Sequence, residues 1–365
     1  MYRQLHCVLP WKALCMDERD GEIFGVPCCL GWIQYGHEYG KVGSVGPTEL
    51  WNSEKAQRMR RLILDGQQDQ VCSQQCPYRI SGELSELRIP ILDGPPTFME
   101  NQALNNEEIR RRRTVLHSRP MLLKVMPTLR CNLRCSMCYQ GSYHQPDFGV
   151  NFWEEIENAL PFACKVTFLG GEVTLMPEFR DFIHSQAHHF SHTEMSLITN
   201  GTALDKDLLG LFGKIAMSDV TVSINAATSE TYNRITKSDL FDRVVDSVRE
   251  LQQVSRSHPV HAFHVFLSFV VMRSNFRELP QFLCFAKELG TQVRLLPVSG
   301  NRGNESILAC PEIYEEYRTI LQAATAAADG PFAGELRNLT SHFDRNRPGG
   351  DVAGCMRDES GNPVR

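Results

Sequence analysis

Residues 121–138 read MLLKVMPTLRCNLRCSMC and join a short apolar run to three closely spaced cysteines. The run at 122–126 predicts a strand, and Cys131, Cys135 and Cys138 follow it in the spacing Cx3Cx2C. In a parallel sheet these cysteines would lie at the carboxyl end of the strand, where loops carry the chemistry. Three thiolates this close can hold three corners of an iron–sulfur cluster and leave one iron open. A zinc site with a missing fourth ligand is the alternative.

Strand-like and helix-like segments alternate from residue 121 onward. Apolar runs predict strands at 122–126, 166–169, 196–198, 220–224, 263–271 and 293–297, and helical periodicity predicts helices at 152–163, 177–190, 204–216, 241–255 and 276–289. This order implies βαβ units with right-handed crossovers and a parallel sheet. Six units suffice for an open barrel and are too few for a closed eightfold one. The predicted fold class is therefore α/β, a partial (β/α)6 TIM-like barrel with a small Cys-rich N-terminal auxiliary domain.

Composition limits the functional classes. The chain has 365 residues with 38 Lys plus Arg against 43 Asp plus Glu, and 42% of its residues are hydrophobic. These values are typical of a folded globular protein, and the net charge of −5 gives no electrostatic footprint for nucleic acid. No run of 18 apolar residues predicts a membrane span, and the N-terminus lacks a signal-peptide core, so we expect a cytoplasmic protein. The odd count of 13 cysteines favours metal binding or chemistry over a disulfide scaffold.

The three-cysteine loop resembles the cluster-binding loop of the radical S-adenosylmethionine (radical SAM) superfamily, and the resemblance extends over about residues 121–300. Met137 occupies the position before the third cysteine, where that family has an apolar or aromatic residue. The resemblance implies a 4Fe–4S cluster on Cys131, Cys135 and Cys138, with SAM chelating the open iron. One electron would then cleave SAM to a 5′-deoxyadenosyl radical, which abstracts hydrogen from a substrate carbon. Flavodoxin or ferredoxin is the electron donor that the resemblance implies.

Further family motifs occur in the expected order at the ends of later strands. Gly170-Gly171-Glu172 follows the second strand, and in the family this motif contacts the amino group of SAM. Arg234 resembles the arginine that binds the SAM carboxylate, since its planar fork suits two oxygens; a plain surface arginine is the alternative. The other cofactor-binding candidates by resemblance are Asn200 in the Thr-Asn-Gly motif, Ser223, and Asn225, which stands where the family often has an acid.

The N-terminal cysteines resemble the auxiliary-cluster module called SPASM, or its shorter form, twitch. We expect Cys7, Cys28, Cys72 and Cys76 to hold an auxiliary 4Fe–4S cluster, with Cys29 as the rival to Cys28. A structural zinc site on the same thiols is the alternative, because zinc also accepts four thiolates. The predicted boundaries are 1–79 for this auxiliary domain, 80–118 for a partly helical linker, 119–300 for the radical SAM core and 301–365 for a C-terminal helical and loop extension.

The reaction and the substrate are less constrained by the residues. Cys310 follows the loop after the sixth strand and could donate a hydrogen atom to a substrate radical, as in epimerases of the superfamily. The leading hypothesis is the oxidation, epimerisation or rearrangement of a small polar metabolite, such as a sugar or an aminocyclitol. A radical SAM maturase acting on a peptide is the second hypothesis, and a non-catalytic metal-binding protein is the third.

Overall fold

The computed structural model describes residues 7–29, 33–44, 46–74, 76, 93–138, 148, 150–258, 262–298 and 302–347. Within them the strands are β1 Ala13–Arg19, β2 Glu22–Val26, β3 Gly40–Lys41, β4 Leu122–Val125, β5 Lys165–Phe168, β6 Glu194–Thr199, β7 Met217–Ser223, β8 His264–Val271 and β9 Gln292–Pro297. The helices are α1 Leu9–Lys12, α2 Pro47–Trp51, α3 Glu54–Leu64, α4 Pro96–Arg110, α5 Val150–Ala159, α6 Pro177–Ser185, α7 Lys206–Phe212, α8 Ser229–Thr236, α9 Phe241–Arg256, α10 Leu279–Glu288, α11 Pro311–Ala327 and α12 Gly330–Arg345.

The described strands form a nine-stranded sheet in the order β3-β2-β1-β4-β5-β6-β7-β8-β9. Strands β4 to β9 are parallel and lie side by side in chain order, each separated from the next by helical segments. Each of them overlaps one of the six predicted strands. The predicted α/β class and partial TIM-like barrel are therefore confirmed. No helix among the described residues is both long and apolar enough to cross a membrane.

The Cys-rich N-terminal segment contributes strands to the same sheet. β1 pairs in parallel with β4, with Ala13 opposite Leu122, and pairs antiparallel with β2 on its other side. Trp11 and Trp51 are buried in the same hydrophobic core as Phe168 of β5. The sequence predicts a small Cys-rich unit with few apolar residues, and those it has pack into the core of the barrel. The boundary at residue 79 stays a prediction.

A buried arginine joins the N-terminal segment to the residues that precede β4. The Arg60 side chain is fully buried, and its guanidinium donates to the carbonyls of Pro10 at 2.9 Å, Trp51 at 2.7 Å and Thr114 at 2.8 Å. The guanidinium also lies 4.7 Å from the centre of the Trp51 ring. Arg60 is thus charged and held by neutral backbone acceptors. Its fork of donors fixes three separate stretches of chain at the entrance to β4.

The two faces of the parallel sheet differ in chemistry. Side chains that alternate along the strands, among them Val166, Val220, Val222, Leu267 and Val293, pack in the apolar core with the helices. Most of the intervening positions carry polar residues, namely Lys165, Thr167, Ser196, Asp219, Thr221, Ser268 and Arg294, and the others include Ile198, Phe266 and Val270. A parallel sheet that is covered on both faces carries apolar residues at nearly every position. The polar face is therefore a surface suited to contact with a polar molecule.

Candidate active site

The three-cysteine loop lies at the carboxyl end of β4 and is held by the end of helix α8. Within the loop, the Arg134 N–H donates to the Thr236 carbonyl at 3.0 Å and the Ser136 N–H donates to the Ile235 carbonyl at 2.9 Å. The last carbonyls of a helix have no partner within the helix and accept such bonds readily. The Cys138 N–H donates to the Cys135 carbonyl at 3.0 Å and closes a turn. The loop is thus fixed by backbone bonds to the end of α8 and by one bond within itself.

The three thiols of this loop influence one another electrostatically. Burial, followed by the neighbouring Cys138 and Cys131 thiols, raises the pKa of Cys135 to about 12. Burial also raises the pKa of Cys131, while Cys138 is exposed. Three thiolates together would repel one another, and a bound iron ion offsets that repulsion because it deprotonates and binds the sulfur. The donor set is thus chemically suited to an iron–sulfur cluster.

Gly170 and Gly171 allow the loop after β5 to approach the start of the cysteine loop. The Gly171 N–H donates to the Thr128 carbonyl at 2.9 Å, and the Glu172 N–H donates to the Arg130 carbonyl at 2.7 Å. A Cβ atom on Gly171 would lie 1.9 Å from the Arg130 oxygen. At this position the two glycines therefore make room for the backbone that leads into the cysteines.

The Glu172 carboxylate is buried and joins the ends of β5 and β6. One oxygen accepts bonds from the Thr174 N–H at 3.2 Å and the Thr199 hydroxyl at 2.8 Å, and the other accepts the Asn200 N–H at 2.6 Å. Burial raises the pKa of Glu172 above its ordinary value, although these hydrogen bonds oppose the shift. The side chain is 1% exposed. The Glu172 carboxylate thus holds the ends of β5 and β6 together beside the cysteine loop.

The Asn200 side chain, directly after β6, contacts the cysteine loop. Its Nδ2 donates to Asn132 Oδ1 at 2.9 Å and lies 3.5 Å from Cys131 Sγ. Its Oδ1 accepts bonds from the N–H of Thr202 at 2.9 Å and from the Thr202 hydroxyl at 2.7 Å. The Thr-Asn-Gly motif thus brings the predicted residue Asn200 to the predicted ligand Cys131.

The other predicted SAM-binding residues lie around the ends of β7 and β8. Ser223 is the last residue of β7 and is paired with Ser268 of β8. Asn225 has the left-handed φ of 57°, which asparagine tolerates, and its Oδ1 accepts the Val270 N–H at 2.7 Å. Arg234, on α8, donates to the Thr231 hydroxyl and to the Ser274 carbonyl, each at 2.9 Å. The neutral amide of Asn225 therefore binds the backbone of β8, and this contact needs no charge.

The loop after β9 also contacts the cysteine loop, and the sequence analysis did not single out its residues for this contact. The Ser136 hydroxyl donates to Glu305 at 3.2 Å, and a Cβ atom on Gly303 would lie 2.3 Å from the Ser136 carbonyl oxygen. Gly303 has a φ of +60°, which favours glycine. Cys310 is buried at the start of α11, where its N–H donates to the Ile307 carbonyl at 3.0 Å. The sequence signal that could have indicated this contact is Gly303, two residues before Glu305.

The N-terminal thiols are grouped on the side of β1. The Cys28 thiol donates to the Cys29 carbonyl at 3.6 Å, and the neighbouring thiols raise the pKa of Cys28 and lower that of Cys29. Burial is the main reason that the pKa of Cys15 on β1 rises to about 12. The nearby charges of Lys124 and Cys29 also affect this pKa. Cys15 is not among the thiols that the sequence predicts as ligands. Its place in the strand register, opposite Lys124 of β4, was the missing signal.

The remaining predicted auxiliary ligands lie on the loop after α3. Cys72 forms an isolated antiparallel bridge with Ile33, and Cys76 is buried. Cys7 affects the pKa of Cys28, so it lies near that thiol. In the part of the chain that the structure describes, no three His, Cys, Asp or Glu side chains converge as they would around a single metal ion.

Comparison with known proteins identifies one family over the core of the chain. The sequence model of the radical SAM superfamily matches residues 125–275. The GTP 3′,8-cyclase of Vibrio vulnificus is 26% identical over 189 residues, which are 49% of this chain and 54% of that protein. The GTP 3′,8-cyclase of Haemophilus influenzae is 27% identical over 183 residues, which are 48% and 52% of the two chains. The chain thus spans about half the length of these relatives.

Solved structures give a weaker likeness. A structure of Streptococcus suis SuiB aligns with 92% of this chain and over 69% of the SuiB chain, at 13% identity and a TM-score of 0.47. Another structure of SuiB holds the precursor peptide SuiA, with a TM-score of 0.46.

Proposed function

Because this chain carries a radical SAM domain at residues 125–275, we propose that it is an enzyme that cleaves SAM reductively and abstracts hydrogen from a substrate carbon. The observation that carries the proposal is the cysteine loop at the carboxyl end of β4. Backbone bonds join this loop to the end of α8, and the Asn200 side chain contacts it. In this proposal Cys131, Cys135 and Cys138 hold the 4Fe–4S cluster. When bound, the cluster and SAM supply a one-electron cleavage that yields the 5′-deoxyadenosyl radical.

The chain's own residues hold the reactants and exclude water in this proposal. Ser223 and Arg234 would bind SAM, because Ser223 is the last residue of β7 and Arg234 lies on α8, whose end holds the cysteine loop. Arg234 also keeps half of its side chain exposed. Glu172 and Asn225 would position the loops, since their polar atoms are already bonded within the protein. Met137 is half-buried within the cysteine loop, where it would shield the cluster from solvent. Cys310 would be the hydrogen-atom donor if the reaction needs one.

The polar face of the sheet would hold the substrate. Arg294 is 42% exposed, stacks 3.9 Å over the Phe266 ring and lies 3.8 Å from Asp219, while Lys165 is 3.1 Å from the same carboxylate. The cluster of Lys165, Asp219 and Arg294 holds two cations and one carboxylate, and its excess positive charge favours a small polar anion there. Within that class, the relatives carry GTP in their names, whereas a sugar or an aminocyclitol rests on the sequence hypothesis alone.

A second iron–sulfur cluster on the N-terminal thiols is part of the proposal. Cys7, Cys28 and Cys29 lie near one another on the side of β1, and Cys72 and Cys76 would complete the set from the following loop. Lys124 faces this group and would balance the charge of bound thiolates. Flavodoxin or ferredoxin would supply the electron. A reducing cytoplasm suits this many thiols and clusters.

The test is the formation of 5′-deoxyadenosine by anaerobically reconstituted, dithionite-reduced protein given SAM. The control is the triple variant Cys131→Ala, Cys135→Ala, Cys138→Ala. We expect product with the wild type alone, and GTP, sugars and precursor peptides are then tested as substrates with the variant Arg294→Gln alongside. Zinc in place of iron, or a loaded wild type that yields no 5′-deoxyadenosine with any of these substrates, would favour the non-catalytic metal-binding alternative.

A further inference from the structure

We infer that the Asn200 side chain tunes the reduction potential of the cluster at Cys131 through a hydrogen bond from Nδ2 to Cys131 Sγ. The inference rests on the proposed function, because it needs a cluster on Cys131. It concerns a different property, namely how readily that cluster accepts an electron. Hydrogen bonds to cluster sulfurs are among the factors that set such potentials.

The orientation of the Asn200 amide is fixed by its partners. The backbone N–H of Thr202 can only donate, and it points at Asn200 Oδ1 from 2.9 Å. That contact assigns the oxygen to the Thr202 side and so directs the amino group toward Asn132 Oδ1 at 2.9 Å and Cys131 Sγ at 3.5 Å. A flipped amide would place oxygen against oxygen at Asn132. The sulfur therefore receives a donor and not an acceptor.

The surroundings of Asn200 strengthen this contact. The residue is 7% exposed, and its backbone N–H is held by the buried Glu172 carboxylate at 2.6 Å. A hydrogen bond shielded from water is electrostatically stronger than an exposed one. The Cys131 sulfur also accepts the Leu133 N–H at 3.4 Å. That second bond comes from the backbone, so Asn200 is the contact that a substitution can remove.

The bond would favour the reduced cluster. Reduction adds negative charge that spreads onto the thiolate sulfurs, and an N–H dipole aimed at Cys131 stabilises that charge. Loss of the donor should therefore make the cluster harder to reduce. Asn200→Asp should have the larger effect, because it also places a carboxylate beside the sulfur.

The test is a redox titration of the reconstituted protein without SAM, which follows the cluster signal that the triple-cysteine variant lacks. In Asn200→Ala we expect the ratio of reduced to oxidised cluster at a fixed potential to fall about tenfold, or about 59 mV for one electron. In Asn200→Asp the ratio of reduced to oxidised cluster should fall further. The control Asn158→Ala changes an exposed asparagine of α5, away from the cysteine loop, and should stay within about twofold of the wild type.

Two results would overturn the inference. One is an unchanged ratio in Asn200→Ala and Asn200→Asp at wild-type iron content. The other is a failure of both variants to assemble the cluster, which would make Asn200 a residue that holds the loop. A wild type that binds no 4Fe–4S cluster would instead remove the proposed function, so the two failures are distinguishable.

Discussion

The carboxylate of Glu172 accepts the backbone N–H of Asn200 at 2.6 Å, and this bond joins the ends of β5 and β6 beside the cysteine loop. The same carboxylate accepts the hydroxyls of Thr174 at 2.5 Å and Thr199 at 2.8 Å. Four donors converge on one buried acid when the Thr174 N–H is included. Glu172 is thus satisfied as an acceptor, and a group that also carries donors cannot replace it without conflict.

Glu172→Gln is expected to lower the free energy of unfolding by about 1–3 kcal/mol. The glutamine NH2 would face either the Asn200 N–H or the threonine donors and leave one buried donor unpaired. Urea unfolding monitored by circular dichroism measures the change. Glu178→Gln, at an exposed position of α6, is the matched control and should change stability by less than about 0.5 kcal/mol. Equal stabilities of the two variants would contradict the conclusion that Glu172 holds the ends of β5 and β6 together.

Gly171→Ala is expected to prevent cluster loading. The new Cβ would lie 1.9 Å from the Arg130 carbonyl oxygen, which is backbone and leads directly into Cys131. The start of the cysteine loop would have to shift. Gly210→Ala is the control, because a Cβ on this α7 residue meets nothing within 4 Å and an alanine suits a helix better by about 0.5–1 kcal/mol.

Iron and sulfide content per chain after reconstitution measures the effect of the two glycine substitutions. We expect Gly171→Ala to lose the cluster of residues 131–138 and Gly210→Ala to match the wild type. A fully loaded Gly171→Ala protein would show that the loop can yield at Arg130.

Arg60→Lys is expected to lower the free energy of unfolding by about 3 kcal/mol or more, in the range for a buried charge that loses its partners. Lysine has one nitrogen and cannot reach the carbonyls of Pro10, Trp51 and Thr114 together. Arg110→Lys, at a side chain 71% exposed, is the control and should be near neutral. Comparable unfolding midpoints for both variants would refute the role of Arg60.

Asp219 is expected to make stability depend on acid pH. Burial raises the pKa of its carboxyl, but the Ser196 hydroxyl at 2.7 Å and the Lys165 ammonium at 3.1 Å outweigh burial and hold the pKa below its usual value. A lowered folded-state pKa gives stability that is present above the unfolded pKa of about 3.9 and lost as pH falls through the folded pKa. Asp219→Asn should therefore flatten the acid limb of a stability–pH curve. An unchanged slope below about pH 4 would contradict this.

The sequence predicted the strands of the barrel because each is a short apolar run bounded by turns. It also predicted the cysteine loop, since that site is contiguous in the chain. It did not predict that β1 would pair with β4, because strand pairing depends on backbone geometry and the Cys-rich segment showed few apolar residues. The contacts of Glu305 with Ser136 and of Cys15 with Lys124 were missed for the same reason. They join positions 169 and 109 residues apart that only the sheet brings together.

The pairing of β1 with β4 also determines which pieces of the chain can be studied alone. Removal of the first 79 residues would strip β4 of its neighbour and leave a row of unpaired amides and carbonyls along the strand that feeds the cysteines. It would also remove Trp11 and Trp51 from the apolar core. Bare strand edges of this kind recruit other chains and promote aggregation. An isolated barrel would thus expose an unpaired strand edge directly before its cysteine loop, and in the whole chain the N-terminal segment covers that edge.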